Sequence, residues 1–159
     1  MTATTVSFVV FGTPEPKGST KAFVRKMGTA YRAIVTSDNP NLKRWEQLVR
    51  FEAQAALRKI GLDASPFFDG PVAVRVRFGL IRPPSVTAKK RPRPTVKPDL
   101  DKLVRAAIDP LIGVLFRDDA QVCKLLNPEK FYVPDGRPAY AEIAVMAYPD
   151  PTMLPGVSR

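Results

Sequence analysis

Histidine is absent from the 159-residue chain, and this absence excludes more chemistry than any other feature of its composition. Without imidazole there is no His general base, no Ser-His-Asp triad and no zinc site that needs a ring nitrogen. Cysteine is almost absent too. Cys123 stands alone, which rules out an internal disulfide, and its apolar-leaning neighbours predict an inert, partly buried thiol. No run of about 18 apolar residues occurs, and the N-terminus lacks the basic-then-apolar layout of a signal peptide. Both point to a cytoplasmic protein with no membrane partner. Acidic residues are scarce, 15 against 25 Lys and Arg, leaving a net charge of +10. A field of that sign concentrates polyanions, of which nucleic acid is the commonest. Any hydrolysis must therefore rest on carboxylates, Lys or Arg, together with a hard metal ion.

What remains is enough for one ordinary hydrophobic core, since 45% of the residues are apolar, while 17 prolines imply stiffened loops. Val6 to Phe11 is a continuous apolar run and predicts a strand buried on both faces. Lys21 to Arg25 and Ala30 to Thr36 read as a hairpin around Met27-Gly28-Thr29. Ser37-Asp38-Asn39-Pro40 signals a helix start, followed at helical spacing by Leu42, Trp45, Val49, Ala53, Ala56 and Ile60, with Gly61 as the stop. Pro71 to Ile81 alternates as a strand, with Val72, Val74, Val76, Phe78 and Leu80 on one face and Arg75 and Arg77 on the other. After the loop Arg82 to Pro98, a second helical stripe runs from Leu100 to Leu111, kinked or ended by Pro110. Val122 to Tyr132 and Ala139 to Tyr148 read as an antiparallel pair around Pro134-Asp135-Gly136. The order predicts an α+β fold with a mixed sheet and two principal helices, in a single domain over 1–148 with a tail at 149–159.

Five aspartates gather between Asp99 and Asp119 in this otherwise basic chain: Asp99, Asp101, Asp109, Asp118 and Asp119. Clustered like charges are unfavourable unless a cation neutralises them. Aspartates beside a polyanion-attracting surface suit a Mg²⁺-dependent phosphodiesterase. Asp99 and Asp101 stand at a loop-to-helix junction, and Arg105 is one turn beyond Asp101. Asp118 and Asp119 begin the expected strand, where alternation lets only one of them face a site. The plainer explanation is structural, with Asp99 as a helix cap, Asp101 favouring the helix dipole and Asp118-Asp119 as a turn.

The stretch Lys97-Pro98-Asp99-Leu100-Asp101-Lys102-Leu103-Val104-Arg105, followed by Arg117-Asp118-Asp119-Ala120-Gln121, resembles the Asp-x-Asp helix and downstream Asp-Asp-Ala-Gln signature of the RusA-type Holliday junction resolvases. The Pro16-Lys17-Gly18 loop is similar to that of phage-borne members. The resemblance implies a homodimeric α+β endonuclease that cuts four-way DNA junctions by paired symmetrical nicks with Mg²⁺, or Mn²⁺ in its place. Asp99 and Asp101 match its paired catalytic aspartates, and Asp119 its third carboxylate, with Asp118 beside it as a further metal candidate. Two positions depart: Lys102 stands where Asn is frequent, and Arg105 where a catalytic lysine is expected. Arginine stabilises phosphoryl charge bidentately but does not readily donate a proton, so Lys102 is the alternative source of an ammonium.

Arg82, Lys89, Lys90, Arg91, Arg93 and Lys97 load the loop before the aspartates with positive charge, and read as an arm that grips phosphates. Lys17 and Lys21, with Arg25, Lys26 and Arg32, extend that surface. Three functions stay open: a junction resolvase, a less selective branched-DNA endonuclease or nickase of the same family, and a non-catalytic nucleic-acid-binding accessory protein. The last leaves the clustered aspartates unexplained.

Overall fold

The computed structural model describes residues 4–18, 20–37, 39–62 and 65–148, without the side chains of 20–25 and 32–37. The expected tail at 149–159 and the side chains of Lys21, Arg25 and Arg32 lie outside the described residues.

The segment from Val72 to Leu80 carries apolar residues on one face and Ala73 and Gly79 among those on the other, so it gains most from neighbours on both edges. It becomes the inner strand β4 (Val72–Leu80), buried everywhere except at Arg75 and, partly, Arg77. β5 (Val122–Tyr132) pairs with it in parallel and β6 (Tyr140–Ala147) antiparallel, and β1 (Thr5–Phe11) lies beyond β6. The resulting mixed sheet has the order β1-β6-β4-β5. β5 and β6 are therefore not the direct pair that the sequence suggests. β4 lies between them, and residues 133–139 are too long for a tight hairpin but long enough to cross its end. The parallel β4–β5 connection needs a crossover, supplied by the loop 82–98 and helix α2 (Leu100–Ile108).

β1 also differs from expectation. It alternates rather than being buried on both faces, with Val6 and Val10 buried while Val9 and Phe11 are 39% and 65% exposed. As an edge strand it has only its inner face against α1 (Leu42–Lys59). That helix buries Leu42, Trp45, Val49, Ala53 and Ala56, as the spacing predicts. It starts later than the signal at Asn39-Pro40, with Asn41 as N-cap and Asn39 Oδ1 accepting from the Asn41 N–H at 3.1 Å. Ile60 falls at the C-cap and is 51% exposed, because Gly61 ends the helix with a φ of 75°. β2 (Thr20–Met27) and β3 (Ala30–Ser37) form the expected hairpin as a separate two-stranded sheet.

Both helices cover one face of the four-stranded sheet in a single core. The other face carries Arg77, whose guanidinium bridges Glu129 at 2.6 Å and Glu142 at 2.9 Å. α2 passes into a 3₁₀ turn, Asp109–Leu111, at Pro110. Cys123 is exposed on β5 rather than partly buried. Among the described residues no helix is long and apolar enough to cross a membrane.

Candidate active site

Asp99 sits at the N-cap of α2 with φ −72° and ψ 139°, yet its carboxylate makes no capping hydrogen bond. Helix capping therefore does not account for the side chain. Its nearest charged neighbour is Lys102, with Nζ 3.8 Å from Oδ2. Asp101 is exposed in the first turn, and Arg105 is exposed one turn further on.

Two contacts fix this helix start. Lys130, reaching up from β5, donates to the carbonyls of Val96 and Pro98, each at 2.7 Å, and so pins the end of the basic loop directly before Asp99. That role is not visible in the sequence, because a lone strand lysine has no local pattern to tell it from solvated charge. Across from it, the Lys17 N–H donates to the Lys102 carbonyl at 3.0 Å. Asn39 Nδ2 donates to Glu15 Oε2 at 2.9 Å and to the Pro16 carbonyl at 3.0 Å. Together they enclose an open cleft of about 520 Å³, lined by Glu15, Lys17, Asn39, Lys97, Asp99 and Lys102 among others.

Lys17 was expected to hold DNA, and the structure gives its ammonium a different task. It lies 2.6 Å from Glu46 and 2.7 Å from Asp109, so its charge is neutralised within the fold. Partial burial works against the ammonium, but hydrogen bonds from Lys17 to Asp109 and Glu46 outweigh it and raise the pKa above the ordinary value. Asp109 is correspondingly a structural anchor rather than a free helix-surface acid. A raised lysine pKa contributes stability fully below about pH 10, where the unfolded side chain is also protonated, and loses it as pH climbs through the folded value. Lys17→Met should cost about 1 kcal/mol at neutral pH in this partly solvated pair, lowering the melting midpoint by roughly 2–4 °C. Scanning calorimetry at pH 7 and pH 11 checks this, with the difference between proteins shrinking at the higher pH.

Asp118 and Asp119 are not the first residues of a strand. They form a capped 3₁₀ turn, Asp119–Gln121, ahead of β5. Asp118 Oδ1 accepts from the Ala120 N–H at 2.8 Å, and Gln121 Oε1 accepts from the Asp118 and Arg117 N–H groups. Gln121 Nε2 also donates to the carbonyls of Phe68 and Gly70, clamping the turn to the segment before β4. For Asp118 the capping explanation holds, and Asp119 is left exposed on the anchored turn.

The turn is far from Asp99. Asp119 precedes Val122 at the start of β5, whereas Asp99 lies beside Lys130 near its end. At about 3.3 Å per residue, roughly 25 Å of strand separates them. The sequence spacing suggested one shared site, but among the described residues no three His, Cys, Asp or Glu side chains converge to hold a metal ion. The pair Asp99 and Asp101, with hard oxygen donors and no capping role for Asp99, still fits Mg²⁺. This ion usually takes one or two carboxylates and fills its shell with water and substrate phosphate.

The basic loop is folded rather than loose. Arg91 N–H bonds the Thr87 carbonyl, Lys90 N–H bonds Thr87 Oγ1, and Val86 N–H bonds the Pro83 carbonyl. Lys89, Lys90, Arg93 and Lys97 are exposed. Arg82 is the exception: its guanidinium lies 4.2 Å from the Tyr132 ring centroid and donates to the Arg91 carbonyl, so it braces the loop.

A family model described as "Endodeoxyribonuclease RusA" matches residues 14–145. The uncharacterized protein YqaN of Bacillus subtilis (strain 168) is 28% identical over 141 residues, covering 83% of this chain and 91% of that protein.

Proposed function

The chain belongs to the RusA endodeoxyribonuclease family, and from that premise we propose that it is a Mg²⁺-dependent homodimer that resolves four-way DNA junctions by paired nicks. The observation that carries this reading is the Asp99 carboxylate, unused by its helix and facing a cleft whose other charges include Lys97 and Lys102.

Bound by Asp99 and Asp101, Mg²⁺ supplies Lewis acidity and an activated water. Lys102 places an ammonium beside Asp99, positioned to neutralise phosphoryl charge and to protonate a leaving oxygen. Arg105 offers a bidentate guanidinium for the same phosphate but no proton. The exposed lysines and Arg93 of the loop hold the backbone of the branched DNA. The setting is the cytoplasm, where that DNA is found.

Dimerisation rests on two arguments. Two symmetrical nicks need two sites related by a two-fold axis. The third carboxylate is also out of reach within one chain. β5 is an edge strand with Leu125 exposed on it. Two copies set antiparallel along that edge exchange its ends, which brings Asp119 of the partner subunit towards Asp99 and Asp101. The acidic turn of one copy then meets Lys97, Lys102 and Lys130 of the other, so the contact is self-complementary in charge.

The test is incubation with matched four-way, three-way and linear DNA, with and without Mg²⁺. Symmetrical nicks confined to the four-way junction support resolution. Cutting of all three indicates a less selective branched-DNA nuclease, and no cutting with any divalent ion leaves a binding protein. Affinity should fall steeply with salt. With about six phosphates neutralised per subunit, log K against log [salt] should slope near −5. Replacing Lys89, Lys90, Arg93 and Lys97 by alanine should flatten the slope by about 3 to 4 units in a fluorescence anisotropy titration, whereas Lys17→Met should leave it unchanged.

A further inference from the structure

At the C-terminal ends of β4 and β5 the fold forms a second cleft, of about 760 Å³, between residues 81–88 and 132–137. That volume is within the range of about 300–1,000 Å³ usual for small-ligand sites. Ile81, Pro83, Pro84, Val86, Val133 and Pro134 give it apolar walls, and Ile81 is 61% exposed there. Tyr132 lines it too, with the Arg82 guanidinium stacked on the ring. One Arg82 N–H is used by the Arg91 carbonyl, so the guanidinium plane is held in place while other donors remain. The Tyr132 hydroxyl is buried and has no hydrogen-bond partner among the described residues. A buried hydroxyl without a partner is uncommon, and it marks Tyr132 as fixed by packing, with its ring rather than its hydroxyl forming part of the cleft wall.

The cleft is tied to the candidate active site through β5. Tyr132 follows Lys130 by two residues on the same strand, and Lys130 holds the carbonyl of Pro98, the residue before Asp99. The separation is on the order of 10–15 Å. Lys89 and Lys90 continue the chain past the Ala88 wall, and Arg137 lines the opposite side. Apolar walls, a fixed guanidinium plane and a rim where Lys89, Lys90 and Arg137 outnumber the single acid Asp135 are features that receive an unstacked base and its phosphate.

We propose that this cleft takes up one unpaired nucleobase from the DNA strand crossing Asp99, and that the base it accepts determines which phosphodiester is cut. This rests on the nuclease reading above. A branch point suits it, because bases there lose their stacking partners at less cost than bases inside a duplex. Discrimination follows from hydrogen bonds to the base edge, with the Thr87 hydroxyl and the remaining Arg82 donors as the partners.

Two measurements test it. Four-way junctions carrying 5-iododeoxyuridine at successive positions around the branch point are irradiated with the full-length protein in Ca²⁺, and the cross-linked peptide is mapped. One position should cross-link to residues 81–88 or 132–137; cross-links confined to other segments overturn the proposal. Junctions randomised at the branch point are then cut by wild type and by Ala88→Trp, an exposed wall position where a large ring fills the cleft. Wild type should prefer one base by about tenfold at one position, and the variant by about twofold or less, with junction affinity retained. Val86→Trp provides a second filled cleft should Ala88→Trp fold poorly. An unchanged preference in a folded, filled variant overturns the pocket while leaving the nuclease intact. A protein that cross-links at the cleft but cuts nothing overturns the nuclease reading and retains the base pocket.

Discussion

Mixing two inactive variants, Asp101→Asn and Asp119→Asn, should restore cutting to about a quarter of the wild-type rate. The expectation follows from the two ends of β5. If each site combines Asp99 and Asp101 of one subunit with Asp119 of the partner subunit, a homodimer of either variant has two broken sites. In the heterodimer both substitutions fall into one site, and the other is intact. Random reassortment of equal amounts makes about half of the dimers mixed, with one working site of two. That single site nicks one strand, so the product on a four-way junction is a nicked junction rather than two resolved duplexes. The measurement is strand-specific cleavage after subunit exchange, with each variant alone as the baseline. If each subunit contained a complete site, every site in every dimer would carry a substitution and no activity would return. Retention of near-wild-type activity by either variant alone would remove that carboxylate from the chemistry.

The elements were readable in the sequence to the extent that local pattern decided them. The stripe Leu42, Trp45, Val49, Ala53, Ala56 reached the core because helical periodicity fixes which face is apolar. The alternation of β4 likewise showed which face would take Arg75 and Arg77. Sheet order was not readable. β5 and β6 look like neighbours because sequence adjacency favours hairpins, and nothing local shows that β4 will lie between them. The same blindness affected the site. Asp99 and Asp119 are close in sequence, but α2 runs back along the sheet and β5 begins at its far end, so the intervening chain separates them. A charge is not assignable from sequence where its partner comes from a distant element: Glu46 and Asp109 capture Lys17, expected on the DNA surface, and the loop carbonyls take Lys130. Gln121, read only as part of a motif, is the clamp that holds the Asp119 turn, and its contacts at Phe68 and Gly70 are invisible to spacing.

Asp101→Asn alone should lower single-turnover cleavage on the order of 10³-fold while leaving junction binding intact. The amide keeps the shape of the side chain and removes the charge proposed to hold Mg²⁺, and several kcal/mol of lost transition-state stabilisation corresponds to a loss of that size. In the proposed reading binding rests on the exposed loop cations, so without metal it should tighten slightly, because one negative charge facing phosphate is gone. Asp99→Asn should behave in the same way and cost little stability, since the Asp99 carboxylate makes no cap to lose. Asp109→Asn separates the two kinds of defect. It weakens the Lys17 strut, so it should lower the melting midpoint while the rate per folded molecule stays near wild type. Glu52→Gln, a half-buried acid on α1 away from both clefts, is the surface-charge control and should change neither. The experiment is quenched cleavage of an end-labelled four-way junction with enzyme in excess, beside a gel-shift titration in Ca²⁺ and a melting curve for each variant. A folded Asp101→Asn protein that cuts at the wild-type rate would place the chemistry elsewhere and remove the basis for the proposed mechanism. A variant that fails to bind the junction would instead make Asp101 part of the DNA contact, contrary to the proposed division between a metal-holding helix and a phosphate-holding loop.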